Sequence, residues 1–206
     1  MVLDSLRGRS DGLITSISKP FMKFNPNSIS VLSLILAALC GILIYLNGFF
    51  LIGAFFALLL SALLDAVDGK VARMRNIASP VGDLVDHVID RYSDIFILAG
   101  FIFSPYGSLP LGIAALAGVL MTSYMGTQSQ ALGLHRNYSG ILGRADRLVF
   151  MLAFIIIQLL VPFAYHAGSV LITPTTILLI WFAVAGNITA AFRFRDAYAG
   201  LKDRPE

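Results

Sequence analysis

Residues Asp65–Asp90 read DAVDGKVARMRNIASPVGDLVDHVID, and this stretch sets Asp65, Asp68, Asp86 and Asp90 inside a chain that is otherwise strongly apolar. Of 206 residues, 57% are hydrophobic and 13% charged, and the mean hydropathy is +0.82. A soluble domain carries about a quarter charged residues. The composition therefore predicts an all-α polytopic membrane protein. Carboxylates on membrane helices are costly enough to count as functional unless structural ion pairs absorb them.

Asp65 and Asp68 are three apart and Asp86 and Asp90 four apart, so each pair occupies one helix face about a turn apart. A short connection between two antiparallel neighbours lets the pairs face each other. Four carboxylates so confined repel unless cations neutralise them, and hard oxygen ligands select Mg²⁺, Mn²⁺ or Ca²⁺ over zinc or copper. Gly69 and Ala72 leave a face without bulk beside the acids, and Gly82 does likewise on the facing helix. Arg73 adds a planar guanidinium suited to phosphate. Acid pairs, a smooth face and a guanidinium together suit a metal-bound diphosphate carrying a base or sugar.

Outward from this stretch, the pattern predicts a single domain over 1–206: a surface helix over 1–24, a six-helix bundle over 28–194 and a tail over 195–206. Leu3, Leu6, Leu13, Ile14, Ile17, Phe21 and Phe24 recur at helical spacing, with Arg7, Arg9, Asp11, Lys19 and Lys23 elsewhere, as in an amphipathic helix lying on a membrane. Asn25-Pro26-Asn27-Ser28 starts the first span, Ile29 to Leu46. The second runs from Phe49 to Arg73 and the third from Gly82 to Phe103. Leu109 to Gly133, Asp146 to His166 and Pro174 to Phe194 follow.

All 15 Lys and Arg flank one set of span ends, whereas the turns near Asn47, Ser104 to Ser108 and Ala167 to Leu171 carry no charged residue. The positive-inside rule thus puts both termini and the acid cluster on the cytoplasmic side of a cell membrane. Basic residues bordering spans fit an anionic leaflet and anionic ligands, not nucleic acid. Cys40 excludes an intrachain disulfide, being the only cysteine. His87, His135 and His166 form no metal-binding cluster, and Asp94 and Arg91 read as ion-pair partners.

Asp65-x-x-Asp68-Gly69-x-x-Ala72-Arg73, eight residues, Gly82-x-x-x-Asp86-x-x-x-Asp90 resembles the complete signature of the CDP-alcohol phosphotransferases. Eight fixed positions at ~7% usage each match by chance on the order of once in 10⁹ windows. The resemblance implies transfer of a substituted phosphate from a CDP-alcohol, such as a CDP-lipid, to a second hydroxyl with release of CMP. It implies two divalent ions, Mg²⁺ or Mn²⁺, on Asp65, Asp68 and Asp86 in a four-carboxylate site with Asp90, and Asp90 as general base. The CDP moiety would meet Asp65, Asp68, Gly69, Ala72, Arg73 and Gly82. The family also implies a homodimer.

For the acceptor, Arg144-Ala145-Asp146-Arg147-Leu148 and Asn187-Ile188-Thr189-Ala190-x-x-Arg193 are similar to segments of the branch that makes phosphatidylinositol phosphate or archaetidylinositol phosphate. Arg136, Arg144, Arg147 and Arg193 would then hold the phosphate of inositol phosphate. Ser123 to Gln130, where that branch carries charges, is uncharged here, which keeps glycerol phosphate and serine open as acceptors. Retention of these arginines for topology alone is the other reading. Two rival classes also hold divalent ions on acids. An intramembrane prenyltransferase leaves Gly69, Ala72, Arg73 and Gly82 unexplained. A divalent-cation transporter would set its acids near mid-membrane on broken helices.

Overall fold

The computed structural model describes residues 7–135, 137–168 and 170–202. They form a mostly helical molecule: α1 (Arg7–Ser18), a short 3₁₀ helix (Lys19–Lys23), α2 (Pro26–Leu46), α3 (Phe50–Met74), α4 (Pro80–Phe103), α5 (Leu109–Ala131), α6 (Arg144–Leu160), the strands β1 (Tyr165–Ala167) and β2 (Val170–Ile172), and α7 (Pro174–Lys202).

Local chemistry sets the boundaries near the acids. Asn25 Oδ1 accepts the Asn27 N–H at 3.0 Å and Pro26 opens α2. Ser79 Oγ accepts the Gly82 N–H at 3.2 Å and Pro80 opens α4. Each is a side-chain cap followed by a residue whose missing N–H needs no partner. Asn47 and Gly48, both at positive φ, reverse the chain between α2 and α3.

In lipid, helices are held less by burial from water than by close packing and interhelical hydrogen bonds. α2 packs on α3 and α4, and α5 packs on α7. A Cβ on Gly41 of α2 would run into the Phe96 carbonyl of α4, and one on Gly100 would strike the Gly41 backbone. A Cβ on Gly186 of α7 would lie 2.9 Å from the Gly118 backbone of α5. Ser33 Oγ donates to the Ser61 carbonyl and Ser61 Oγ to that of Ser33, both at 2.9 Å, tying α2 to α3. The main core joins Cys40, Leu58, Leu98, Phe101, Met151 and Phe182; a smaller cluster of Ile29, Leu64, Val67 and Val71 lies against Phe21 and Met22. Large apolar side chains on the outer face of α2, including Ile35 and Ile42, are exposed, as a lipid-facing surface requires.

Among the described residues, four helices are long and apolar enough to cross a membrane: α2, α3, α5 and α7. Two expected spans depart from that criterion, α4 because it carries the charge-rich stretch from Asp83 to Asp94, and α6 because it has only 17 residues. α6 also corrects the expected limits Asp146 to His166. It starts at Arg144, where the Gly143 N–H donates to Asp146 Oδ2 at 3.0 Å, and stops at Leu160 because Val161 precedes Pro162 and is driven out of helical geometry. The expected turn around Ala167 to Leu171 is an antiparallel hairpin, with Tyr165 opposite Ile172 and Gly168 at φ +63°. α7 extends past Phe194 to Lys202, so most of the expected tail is helical.

The expected continuous helix over 1–24 is instead α1 followed by a 3₁₀ turn at Pro20. Leu3 and Leu6 lie outside the described residues. Leu13, Ile17 and Phe24 are exposed, while Phe21 and Met22 pack inward.

Candidate active site

The 75–79 connection joins α3 to α4, and both pack on α2 rather than broadly on each other, so the expectation that they are directly packed neighbours is corrected: α2 brings the end of one and the start of the other together. Asp65, Asp68 and Asp86 offer carboxylate oxygens within 4.8 Å of one another. At an effective dielectric near 20, like charges at such separation repel by roughly 3 to 4 kcal/mol per pair. Ion pairs offset part of this. Arg144 Nη2 at the start of α6 donates to Asp65 Oδ1 at 2.9 Å and also contacts Asp90 Oδ1. Arg91 Nη2 lies 3.6 Å from Asp90 Oδ2 and 3.7 Å from Asp94 Oδ2. Asp94 is satisfied separately by the buried Arg147, whose Nη2 donates to it at 2.8 Å. With the acids ionised, Arg144 and Arg91 oppose two of the four charges of Asp65, Asp68, Asp86 and Asp90. The remaining negative charge and the all-oxygen donor set fit a divalent cation such as Mg²⁺ or Mn²⁺.

Beside the acids opens a cavity of about 260 Å³, lined by Asp68, Gly69, Ala72, Arg73, Gly82 and Asp86 together with Asn25, Asn27, Ser30 and Ser79. The Arg73 guanidinium folds back over Gly69, with Nη1 3.4 Å from where a Cβ would stand. The residues expected to meet the nucleotide thus converge, except that Asp65 faces Arg144 instead of lining the cavity. Asp90, 6% exposed, is set back from the three-carboxylate group and bound to the arginines.

The expected acceptor arginines separate. Arg144 alone of the described ones touches Asp65 and Asp90. Arg147 is committed to Asp94. Arg193 Nε donates to the Ser139 carbonyl at 2.9 Å and Nη1 to the Thr122 carbonyl at 2.7 Å, so it ties α7 to α5 and to the 132–143 connection. Thr189 Oγ1 accepts the N–H groups of Ile141 and Leu142, both at 3.1 Å. The Asn187–Arg193 segment therefore holds the connection that delivers Arg144. Arg136 lies outside the described residues. His87 turns its Nδ1 to the Asp83 carbonyl at 2.6 Å.

Ser30, Asn25 and Asn27 are site residues that the spacing of the acids did not reveal. Asn25 and Asn27 read as helix-start chemistry, which they also perform. Ser30 carried a signal in being polar within an apolar span, but its partner across α3 is tertiary information.

The profile of the CDP-alcohol phosphatidyltransferase family matches residues 23–191. An uncharacterized protein of Aquifex aeolicus is 34% identical over 147 residues, covering 68% of this chain and 74% of that protein. The archaetidylinositol phosphate synthase of Aeropyrum pernix is 33% identical over 126 residues, covering 61% of this chain and 62% of the synthase, so the match spans less than two thirds of that relative. Among solved structures, Mycobacterium tuberculosis phosphatidylinositol phosphate synthase with CDP-DAG bound aligns with a TM-score of 0.72 at 23% identity, covering 94% of this chain and 98% of that one. The mycobacterial synthase is also solved in complex with manganese and citrate.

Proposed function

The chain belongs to the CDP-alcohol phosphatidyltransferase family, and on that basis we propose that it transfers the lipid-bearing phosphate of a CDP-lipid to inositol phosphate, releasing CMP, in phospholipid biosynthesis. The observation that carries this reading is the junction of the Gly69, Ala72, Arg73 and Gly82 cavity with Asp68 and Asp86. It suits a nucleoside diphosphate whose phosphates lie against acid-bound cations.

Asp65, Asp68 and Asp86, with Asp90 beside them, would hold two divalent ions, Mg²⁺ or Mn²⁺. Bound there, these ions supply charge neutralisation at the diphosphate. Arg73 holds phosphate oxygens at the cavity wall, and Gly69 and Ala72 let the nucleotide lie against α3. Asp90 accepts the proton of the acceptor hydroxyl as that oxygen bonds to the lipid phosphate and the phosphate's bond to CMP breaks. Arg144, between Asp65 and Asp90, places the acceptor's own phosphate so that its hydroxyl reaches Asp90. Arg147 and Arg193 hold the start of α6 and its preceding connection.

The membrane arrangement belongs to the same reading. α4 and α6 cross with the four apolar helices to make six spans; α1 with the 3₁₀ turn lies on the cytoplasmic surface, and the acids open to that side, where a soluble acceptor meets a lipid at headgroup depth. The family resemblance adds a homodimer.

The test is CMP release by purified protein in nanodiscs with Mg²⁺ or Mn²⁺, CDP-diacylglycerol or CDP-archaeol, and inositol phosphate, glycerol phosphate, serine or free inositol. CMP should appear with inositol phosphate and disappear on chelation. Release with glycerol phosphate or serine instead would reassign the acceptor. No CMP from any CDP-lipid would refute the reading, and cation flux in its place would favour a transporter.

A further inference from the structure

We propose that Ser30 is a positioning residue of the acid cluster, its hydroxyl holding the Asp68 carboxylate in the orientation that a divalent cation requires. This inference rests on the cation-dependent reading above. Ser30 lies one turn into α2, on the face buried against α3, and is 5% exposed; Asp68 is 4% exposed. Ser30 Oγ donates to Asp68 Oδ2 across the two helices.

A serine hydroxyl has one proton, and inside a helix its usual acceptor is the carbonyl four residues back. Ser18 and Ser129 follow that pattern, donating to Ile14 and Met125 at 2.7 Å. Ser30 Oγ lies 3.1 Å from the Pro26 carbonyl, as Ser16 does from that of Gly12, and its hydroxyl also has the Asp68 carboxylate as an acceptor. Of the two acceptors, an ionised carboxylate takes the stronger hydrogen bond.

Arg144 contacts Asp65 and Asp90, while among the described residues Ser30 is the side-chain donor to Asp68. Both residues also line the cavity with Gly69. Hydrogen bonds from outside the ligand set commonly fix ligand geometry and tune metal affinity. α2 would then be a third helix of the cation site, acting through Asp68 and not as a ligand itself.

Mn²⁺ binding followed by loss of the free-ion paramagnetic resonance signal, on full-length protein in nanodiscs, reads this without requiring turnover. Ser30→Thr and Ser30→Val have nearly the same shape and differ in the hydroxyl. Thr should bind Mn²⁺ within roughly three-fold of the parent, and Val and Ser30→Ala about ten-fold or more weaker. Ser33→Ala, which loses the α2–α3 contact with Ser61 and touches none of the acids, should bind as the parent does. Equal affinity of the Thr and Val variants, with Asp68→Asn weakened, overturns the role of Ser30 and leaves the cation site standing. If Asp68→Asn also binds like the parent, the cation site itself falls, and the role of Ser30 with it.

Discussion

Asp90 and Arg144 meet in one contact, yet their side chains should fail in different ways when altered. Asp90→Asn keeps the shape of the buried group but removes its capacity to take a proton. CMP release should fall by about 10² or more, while Mn²⁺ and CDP-lipid still bind; turnover like the parent's in a single-turnover assay removes Asp90 as base. Arg144→Ala deletes the guanidinium between Asp65 and Asp90. The KM for inositol phosphate should rise roughly thirty-fold, about 2 kcal/mol for a hydrogen bond to a charged group, with the KM for CDP-lipid little changed. An unaltered acceptor KM returns Arg144 to the topology-only reading. Arg147 is a poor probe of the acceptor, because removing it strands the buried Asp94.

At the scale of elements, the position of the acids depends on how closely α2, α3 and α4 approach. Gly100 has no room for a side chain against Gly41, whereas Gly12 on α1 has nothing within 4 Å. Gly100→Leu should therefore cost about 1 to 3 kcal/mol or more through forced separation of α2 and α4, read as a lower unfolding temperature in detergent. Gly12→Ala should leave that temperature nearly unchanged. Equal temperatures for Gly100→Leu and the parent would contradict the α2–α4 contact. The ends of the elements were legible where punctuation was local: Asn25-Pro26 and Asn47-Gly48 stand at observed boundaries, whereas α4 starts at Pro80 behind the Ser79 cap and not at Gly82. The Val161-Pro162 stop was equally local, but the apolar run beyond it masked the signal. The β1–β2 hairpin needed contacts between partners that periodicity does not report.

For the whole molecule, the proposed orientation makes a prediction that the single, buried Cys40 makes easy to test. In a Cys40→Ala background, a cysteine at the exposed Phe49 should react with an impermeant reagent on intact cells, and one at the exposed Ile77 only after permeabilisation. The reverse pattern would invert the proposed topology. Membrane class, the acid signature and the smooth Gly69–Gly82 face were all readable in the chain, because apolar content is additive and spacing along a helix converts directly into a face. The separation of Arg144, Arg147 and Arg193 was not. Arg136, Arg144, Arg147 and Arg193 look alike as basic residues near span ends, and only packing commits Arg147 to Asp94, Arg193 to the carbonyls of Ser139 and Thr122, and Arg144 to Asp65 and Asp90. The same holds for Ser30, whose partner Asp68 lies 38 residues away in sequence. Such pairings depend on which helices are neighbours and at what depth, and those relations arise only when the bundle closes.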